Sequence, residues 1–320
     1  MNPISVNKSA IPIFEQLSNQ SSSFRVISKK GPKNARLIDA GCQTQGGIKA
    51  GILLTRICMG DLCTVHISQE KYEDLSLPTI HVSTDFPAIS TLASQYAGWR
   101  ISAGGYFAMG SGPARALSLK PKELYKKLDY EDESDIGILV LETSEEPTDE
   151  AIEKIAKDCR IGPVGLRIVY APTASVAGSI QISGRIVETG IHKLYELGLD
   201  VKKIISGYGF APIAPIHPNA TRAMGRTNDA ILYGGTTYYT VDEESDEELK
   251  RLVREAPSSM SRDYGKPFAD VFKDSGYDFY KIDPHLFAPA KITINNMRTG
   301  STFTAGAVNI EILRKSFGMQ

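Results

Sequence analysis

The chain has 320 residues, of which 42% are hydrophobic and 23% charged, and its formal net charge at pH 7 is −1. These proportions are typical of a globular protein, and the near-neutral charge argues against nucleic acid as the main partner. No apolar run approaches the roughly 20 residues of a membrane-spanning helix, and the N-terminus lacks a signal-peptide pattern. We therefore expect a cytoplasmic protein that binds neither a membrane nor nucleic acid.

A chain of this length is long for one core, so two domains or one large α/β unit are expected. Its first part alternates helices with short strands, which favours a mixed α/β (α+β) fold. The patterns predict a helix after Ser5, strands at 24–29 and 35–40, a helix at 48–58, strands at 62–68 and 79–84, and a helix that ends at Gln95.

Residues 101–121 are the most glycine-dense part of the chain. A glycine-rich loop that leads into a helix N-terminus presents free N–H groups, on which an anion can dock. A tight structural turn is the simpler interpretation, although an arginine one turn into the helix favours a phosphate or carboxylate ligand. The candidate binding residues in this segment are Gly104, Gly105, Gly110, Ser111 and Arg115.

An acidic run at 129–135 is most simply a solvated surface turn, and it is the domain boundary that we predict. The predicted domains are residues 1–133 and 134–320, although the C-terminal segment could pack back on the first domain. Beyond the boundary, strands at 136–141 and 165–170 flank a capped helix at 148–158.

The next predicted helix, over 174–197, carries two different faces. Its apolar face consists of residues three, four or seven positions apart, namely Val176, Ile180, Val187, Ile191 and Leu194. The almost opposite face carries Gln181, Arg185, Glu188 and His192. From the periodicity alone, this second face is more simply a solvated surface than a functional one.

The segment 206–229 is rich in glycine and proline and is predicted to be a stiff, irregular loop. Tyr208 and Phe210 in this loop can stack on a flat ring, with plain packing as the competing explanation. The remaining patterns predict a strand at 230–241, a helix that opens at 242–248, a helix at 268–273, a hairpin at 291–296 and 301–304, and a helix at 308–316.

Cysteine and histidine are sparse. The four cysteines show neither CxxC spacing nor a disulfide framework, and the five histidines form no HxxxH or HExxH pair. The GxxxxGK[ST] and GxSxG patterns of P-loop nucleotide sites and α/β-hydrolases are also absent. The chain therefore carries no local metal signature, and we expect no metal, although residues distant in sequence can still assemble a metal site.

Four long blocks of the chain resemble the methenyltetrahydromethanopterin cyclohydrolase family, and the likeness extends in order over nearly the whole sequence. The blocks are GGIKAGILLTRICMGDL at 46–62, AGGYFAMGSGPARAL at 103–117, PTASVAGSIQISGRIVETGIHKL at 172–194 and GYGFAPIAPIHPNATRAMGRTNDAILYGG at 207–235.

The resemblance implies two α/β domains with a pterin in the cleft between them, usually in a homotrimer, and no metal or prosthetic group. The implied reaction belongs to one-carbon metabolism and interconverts 5,10-methenyl-tetrahydromethanopterin plus water with the N5-formyl form. The pterin is thus substrate rather than cofactor. The family's catalytic Arg and Glu lie in the motif GRIVETG, which spans Gly184–Gly190 here, so these roles pass to Arg185 and Glu188.

The chemistry suits these two residues independently of the family. The methenyl carbon bridges two nitrogens and shares a positive charge, so it is already electrophilic. The reaction then needs a positioned water and a base to take its proton. Glu188 can be that base and can attract the cationic carbon, while Arg185, a neighbour on the helix face, can hold the carboxylate in place.

Two alternative functions stay open: a non-catalytic pterin-binding protein, and a cyclohydrolase that acts on the folate analogue. His192 is more simply a helix-face residue than a catalytic one. The candidate contacts are Arg115, Lys49 and Arg222 for the anionic tail of the substrate, and Tyr106, Phe107, Tyr208 and Phe210 for its flat ring.

Overall fold

The structure is a computed structural model that describes residues 4–319. The chain divides into two compact units. Unit 1 consists of the residues up to Cys63 together with Ala88–Gln181, and unit 2 consists of Thr64–Pro87 together with the chain from Ile182 onward. Both units contain helices and a sheet, which confirms the mixed α/β class expected from the sequence.

The strands of the described chain are short and fall into two sheets. In chain order they are β1 (Ile27–Lys30), β2 (Arg36–Asp39), β3 (Thr64–Tyr72), β4 (Leu75–Thr84), β5 (Trp99–Ala103), β6 (Tyr106–Ser111), β7 (Gly137–Glu142), β8 (Leu166–Ala171), β9 (Ile204–Pro212), β10 (Thr236–Val241), β11 (Lys291–Asn296) and β12 (Thr302–Gly306).

None of the helices within residues 4–319 combines the length and apolarity needed to cross a lipid bilayer. A π-helical segment occupies Ala88–Gln95. The α-helices are α1 (Val6–Asn19), α2 (Ser21–Phe24), α3 (Ile48–Cys58), α4 (Arg115–Ser118), α5 (Lys122–Leu128), α6 (Asp149–Cys159), α7 (Val176–Ser183), α8 (Ile186–Glu196), α9 (Ala220–Gly234), α10 (Asp246–Glu255), α11 (Phe268–Asp274) and α12 (Ile310–Phe317).

Unit 1 is built on a six-stranded sheet with the order β1-β2-β8-β7-β6-β5. β2, β8 and β7 run parallel, and the other neighbouring strands are antiparallel. Helices cover both faces: Leu54 of α3 packs with Val169 on one face, and Ile152 of α6 packs with Ile168 on the other. β7 is buried almost throughout, as expected for a central parallel strand covered on both sides.

The two units differ from the predicted division between residues 133 and 134. β7 follows that point but pairs with β6 before it, so that Ser111 lies opposite Val140. The hairpin β3–β4 belongs to unit 2 because its second strand pairs with β9, where His81 lies opposite Phe210. Strand pairing between distant segments thus separates the units, rather than the acidic run at 129–135.

Unit 2 is built on a six-stranded sheet with the order β12-β11-β10-β9-β4-β3, in which only β10 and β11 are parallel neighbours. Buried and more accessible residues alternate along β10 and β11, so at these two strands one face of the sheet is more buried than the other. α9, α11 and α12 pack together around Tyr233, Phe268 and Leu313.

Asp229 is a fully buried acid on α9. Its carboxylate accepts hydrogen bonds from the amide of Phe268, at 2.9 Å, and from the hydroxyl of Ser316. Burial nevertheless raises its pKa to about 7, although both hydrogen bonds favour the charged form. When the pKa of an acid is higher in the folded protein than in the unfolded protein, the acid contributes its full stabilisation only at a pH below the pKa of the unfolded state. That contribution is lost as the pH rises through 7.

We expect Asp229→Asn to remove this loss. Between pH 5 and pH 8 the free energy of unfolding of the variant should rise relative to that of the wild type, because only the wild type must bury an ionising carboxylate. Urea unfolding at both pH values measures the difference, with Glu247→Gln at an exposed position as the control. A difference that stays constant or falls over this range would contradict the prediction.

Candidate active site

The segment predicted as one helix over 174–197 is two helices. The break between α7 and α8 falls at Gly184 and Arg185, which form a turn. Arg185 has φ −82° and ψ 4°, and its amide donates to the carbonyl of Ile182 at 3.0 Å. Arg185 therefore immediately precedes α8, and Glu188 lies in the first turn of that helix.

The polar residues around this break are buried. Gln181 is 3% exposed, Glu188 6% and Arg185 9%. The interpretation of this face as a solvated surface is therefore wrong for these three residues. Burial of a carboxylate and a guanidinium is costly unless both are partnered, so such a pair is more typical of a functional site than of an ordinary helix. His192 is different, because 29% of its side chain is exposed and its Nε2 lies 3.9 Å from Glu196 Oε1.

The start of α8 is held in a defined geometry. The carbonyl of Arg185 accepts the amide of Thr189 at 2.8 Å and the hydroxyl of the same residue at 3.0 Å. The positive end of the helix dipole lies in this first turn and favours a negative charge there. The position of Glu188 thus suits an ionised carboxylate.

Glycines in unit 2 let α8 approach the sheet closely. A Cβ atom at Gly209 of β9 would lie 3.2 Å from Ile186 Cγ1, and one at Gly207 would lie 3.0 Å from Val187 Cγ1. At Gly235, just before β10, a Cβ would lie 2.5 Å from Ile186 Cδ1. The sequence predicted Gly207 and Gly209 to lie in an irregular loop and Gly235 to lie in a strand at 230–241, and all three pack against the helix that carries Glu188.

Tyr208 and Phe210, two of the predicted substrate contacts, are not brought together with Glu188. Gly207 and Gly209 point towards α8, and because side chains alternate along a strand, Tyr208 and Phe210 point to the opposite face of the sheet. A ring held at Glu188 would therefore not reach them. The ring of His81 lies beside both of these side chains.

His81 of β4 organises a polar network on that opposite face. Its Nδ1 lies 2.8 Å from the hydroxyl of Tyr208 and its Nε2 lies 2.7 Å from Ser68 Oγ, which donates to Glu70. Burial, and then the charge of His66, lower the pKa of His81. A neutral His81 that is protonated on Nε2 accepts a hydrogen bond from the Tyr208 hydroxyl at Nδ1 and donates one to Ser68 Oγ. Every hydrogen bond between Tyr208 and Glu70 is then satisfied.

The same network includes stacked rings from β3, β4 and β9. The rings of His66 and His81 stack with centroids 4.7 Å apart, and the ring of Phe210 stacks on His81 at 5.5 Å. His66 and His81 lie on different predicted strands, so no local spacing motif connects them. Pairing the two predicted strands at 62–68 and 79–84 into a hairpin would have placed them side by side.

Gly104 and Gly105 form the tip of the β5–β6 hairpin instead of a binding loop. Their φ angles are +55° and +82°, and Ala103 pairs with Tyr106 across the turn. Two consecutive residues with positive φ are what a two-residue hairpin turn requires. Gly105 and Ser111 lie at opposite ends of β6, about 20 Å apart at the usual rise of a strand. The five residues predicted to form one glycine-rich site are therefore divided between distant places.

Gly110 and Ser111 end β6 in a buried environment. A Cβ at Gly110 would lie 3.2 Å from the carbonyl oxygen of Trp99, so this glycine allows close strand packing. Ser111 is 1% exposed, and its hydroxyl lies 3.4 Å from the thiol of Cys58, which in turn lies 4.0 Å from Gln181 Oε1. Within unit 1, Ser111 and the amide of Gln181 thus belong to one polar cluster around Cys58.

Arg115 has a structural environment rather than that of an anion-binding residue. It is 0% exposed, and its guanidinium donates to the carbonyl oxygens of Leu92, Ser94 and Lys120 at 2.9–3.2 Å. The rings of Tyr96 and Tyr125 lie 5.2 and 5.6 Å from its Cζ. The predicted contact with an anionic substrate is replaced by contacts that tie α4 to the preceding π-helical segment.

We expect Arg115→Met to lower the free energy of unfolding by about 3 kcal/mol, because it leaves buried carbonyl oxygens without their charged donor. Urea unfolding measures the effect. Arg160→Met is the matched control, since 72% of that side chain is exposed. Equal stability of the two variants would show that Arg115 does not have the structural role described above.

Within residues 4–319, no three His, Cys, Asp or Glu side chains converge to form a metal-binding group. The four cysteines are free thiols. Burial raises the pKa of Cys42 to about 12, so the thiol is protonated at neutral pH and is a poor nucleophile. The start of α8 offers acid–base chemistry from the Glu188 carboxylate and positive charge from the Arg185 guanidinium.

Comparisons with known proteins agree on one family. The model of the family described as Cyclohydrolase (MCH) matches residues 5–317. A methenyltetrahydromethanopterin cyclohydrolase of Methanococcoides burtonii is 50% identical over 317 residues, which are 99% of both chains. The protein of the same name from Methanothermobacter marburgensis is 48% identical over 99% of this chain and 100% of its own. That of Methanosarcina mazei is 46% identical over 99% of both chains.

Proposed function

The chain belongs to the methenyltetrahydromethanopterin cyclohydrolase family, and we propose that Glu188 and Arg185 are the residues with which it opens the methenyl ring. It is a hydrolase of one-carbon metabolism that acts on a cyclic amidine C–N bond. The reaction interconverts 5,10-methenyl-tetrahydromethanopterin plus water with the N5-formyl form. The observation that carries the assignment of residues is the buried carboxylate and guanidinium at the start of α8.

Glu188 acts as the general base. A water attacks the methenyl carbon, its oxygen forms a bond to that carbon, and Glu188 takes its proton. The carbon carries part of a positive charge, so the same carboxylate also attracts the substrate. When the bond from the carbon to N10 breaks, the proton held by Glu188 returns to that nitrogen, and the remaining hydroxyl proton is released to solvent as the formyl carbonyl forms. The net reaction therefore releases one proton, and one carboxylate carries the other from the water to N10.

Arg185 orients and balances this carboxylate. A guanidinium offers only N–H donors and no acceptor, so Arg185 does not serve as the base. It lies three residues before Glu188, and its carbonyl is fixed by two hydrogen bonds from Thr189. Both side chains are buried, and the positive charge of the guanidinium offsets the negative charge of the carboxylate.

Gly110 and Ser111 remain proposed substrate contacts in unit 1, because Ser111 lies in the buried polar cluster that also contains Gln181. A pterin offers many donors and acceptors along its edges, and such buried hydroxyl and amide groups are the kind that recognise them. Gly104, Gly105, Arg115, Tyr208 and Phe210 are not retained as contacts of the ring held at Glu188.

The homotrimer, the cytoplasmic location and the independence from a metal or prosthetic group are proposals that rest on the family resemblance. Light scattering of the purified protein tests the first. Dialysis against a chelator tests the last, and turnover should be unchanged by it, because the methenyl carbon is electrophilic without a metal.

A spectroscopic assay separates the proposed function from its alternatives. Methenyl-pterins absorb in the near ultraviolet, and hydrolysis removes the band. We expect the protein to remove it from methenyl-tetrahydromethanopterin far faster than from methenyl-tetrahydrofolate. Binding without loss of absorbance would instead support a pterin-binding protein, and a preference for the folate would reassign the substrate.

A further inference from the structure

Tyr239 reaches the helix that carries Glu188 from the strand beneath it. The residue lies on β10 and is 0% exposed. Its hydroxyl donates to the carbonyl oxygen of Val187 at 2.8 Å. Val187 immediately precedes Glu188 in the first turn of α8, so the phenol is bonded to the backbone from which the carboxylate side chain departs.

Two glycines make room for the phenol. A Cβ at Gly190 of α8 would lie 2.1 Å from the Tyr239 hydroxyl oxygen and 3.0 Å from Cζ. A Cβ at Gly207 of β9 would lie 3.2 Å from the ring. Any side chain at Gly190 would therefore push the ring or the helix away, so Gly190 and Tyr239 are mutually dependent.

The hydrogen bond does more than satisfy a buried group. In a helix the carbonyl of Val187 is already the acceptor for the amide four residues later. The phenol is therefore a second donor to that oxygen, and it adds a fixed point to the helix. Burial raises the pKa of Tyr239, and the nearby charge of Glu188 raises it further, so the hydroxyl stays a donor at every working pH.

We propose that Tyr239 is a positioning residue that sets the place of the Glu188 carboxylate by clamping the first turn of α8. The inference rests on the proposed function of Glu188 as the base. A general base must lie within hydrogen-bond reach of the water, and a displacement of about 1 Å can cost about a hundredfold in rate. The phenol touches neither water nor substrate in this role and acts only through the helix.

Tyr239→Phe keeps the ring and removes only the hydroxyl. We expect kcat for methenyl-tetrahydromethanopterin to fall about tenfold while KM changes less than about twofold, because the base moves slightly and the binding surfaces do not. Tyr238→Phe is the matched control, since Tyr238 is the next residue on β10, is 41% exposed and points to the other face. Equal kcat values for the two variants would overturn the inference.

A double-mutant cycle tests the clamp itself. Gly190→Ala should lower kcat more than Tyr239→Phe does, because the new methyl group collides with the hydroxyl. Adding Tyr239→Phe to Gly190→Ala removes the atom at 2.1 Å, so the double variant should recover part of the lost kcat. Effects that simply multiply would show that the two residues do not act on one another and would overturn the inference.

The Glu188→Gln background distinguishes failure of this inference from failure of the proposed function. If Tyr239 acts through Glu188, adding Tyr239→Phe to Glu188→Gln should leave kcat unchanged. A Glu188→Gln enzyme with wild-type turnover would refute the assignment of the base. If Glu188→Gln is inactive but Tyr239→Phe retains wild-type kcat, only the positioning role is refuted.

Discussion

Glu188→Gln is expected to fold like the wild type and to lose about a thousandfold in kcat, which is within the range that a general base contributes. The amide keeps the size of the side chain and one acceptor oxygen but cannot take the proton of the attacking water. It also removes the negative charge that attracts the cationic methenyl carbon. KM should therefore rise as well, but by a smaller factor than kcat falls.

The matched control is Glu196→Gln, at the other end of α8. The Glu196 side chain is 60% exposed, so its neutralisation should leave kcat and KM unchanged. Circular dichroism and urea unfolding of both variants separate a loss of catalysis from a loss of structure. Wild-type-like kcat in a folded Glu188→Gln enzyme would contradict the assignment of the base.

Arg185→Ala is expected to lower kcat about a hundredfold, because the buried Glu188 carboxylate loses the charge that balances it. Arg185→Lys should restore only part of the loss, since an ammonium group cannot reproduce the planar fork of a guanidinium. Steady-state kinetics with each variant measures the effect, and separate values of kcat and KM decide the role of the residue.

Arg251→Ala serves as the control for Arg185→Ala, because Arg251 is a half-exposed arginine that pairs with Glu248 and Glu255 on α10. It should retain wild-type kinetics. If Arg185→Ala changes only KM and leaves kcat intact, Arg185 binds substrate and does not tune the base.

The helix period predicted a polar face over 174–197 but did not predict that Gln181, Arg185 and Glu188 on it are buried. Gln181 lies on α7 and Glu188 on α8, and the turn at Gly184 and Arg185 between these helices left no trace in the periodicity. Burial of that face depends on residues distant in sequence. The family motif, and not the pattern, singled out Arg185 and Glu188 in advance.

The structural roles of the glycines were the hardest to predict from the sequence. Gly104 and Gly105 are needed for the positive φ angles of a hairpin turn, whereas Gly207 and Gly209 are needed for their lack of a side chain beneath α8. Glycine content alone does not distinguish these two uses. The alternation of glycine with Tyr208 and Phe210 was, however, a strand pattern, and it already implied that the aromatic rings point away from the glycines.

The strands that follow acidic or glycine-rich segments were largely predicted, but their partners were not. The strand expected at 136–141 exists as β7, yet it pairs with β6 across the predicted boundary. The hairpin β3–β4 joins unit 2 through its pairing with β9. Local propensity determines where a strand forms, whereas pairing depends on contacts between distant segments that a single sequence does not display.

The central claim is that a carboxylate on α8 performs the hydrolysis. The most direct measurement mixes excess enzyme with methenyl-tetrahydromethanopterin and follows the near-ultraviolet band in a single turnover, while ultrafiltration reports the bound pterin. The wild type should remove the band rapidly, and Glu188→Gln should bind the pterin while the band persists. If Glu188→Gln removes the band at the wild-type rate, the carboxylate of Glu188 is not the base.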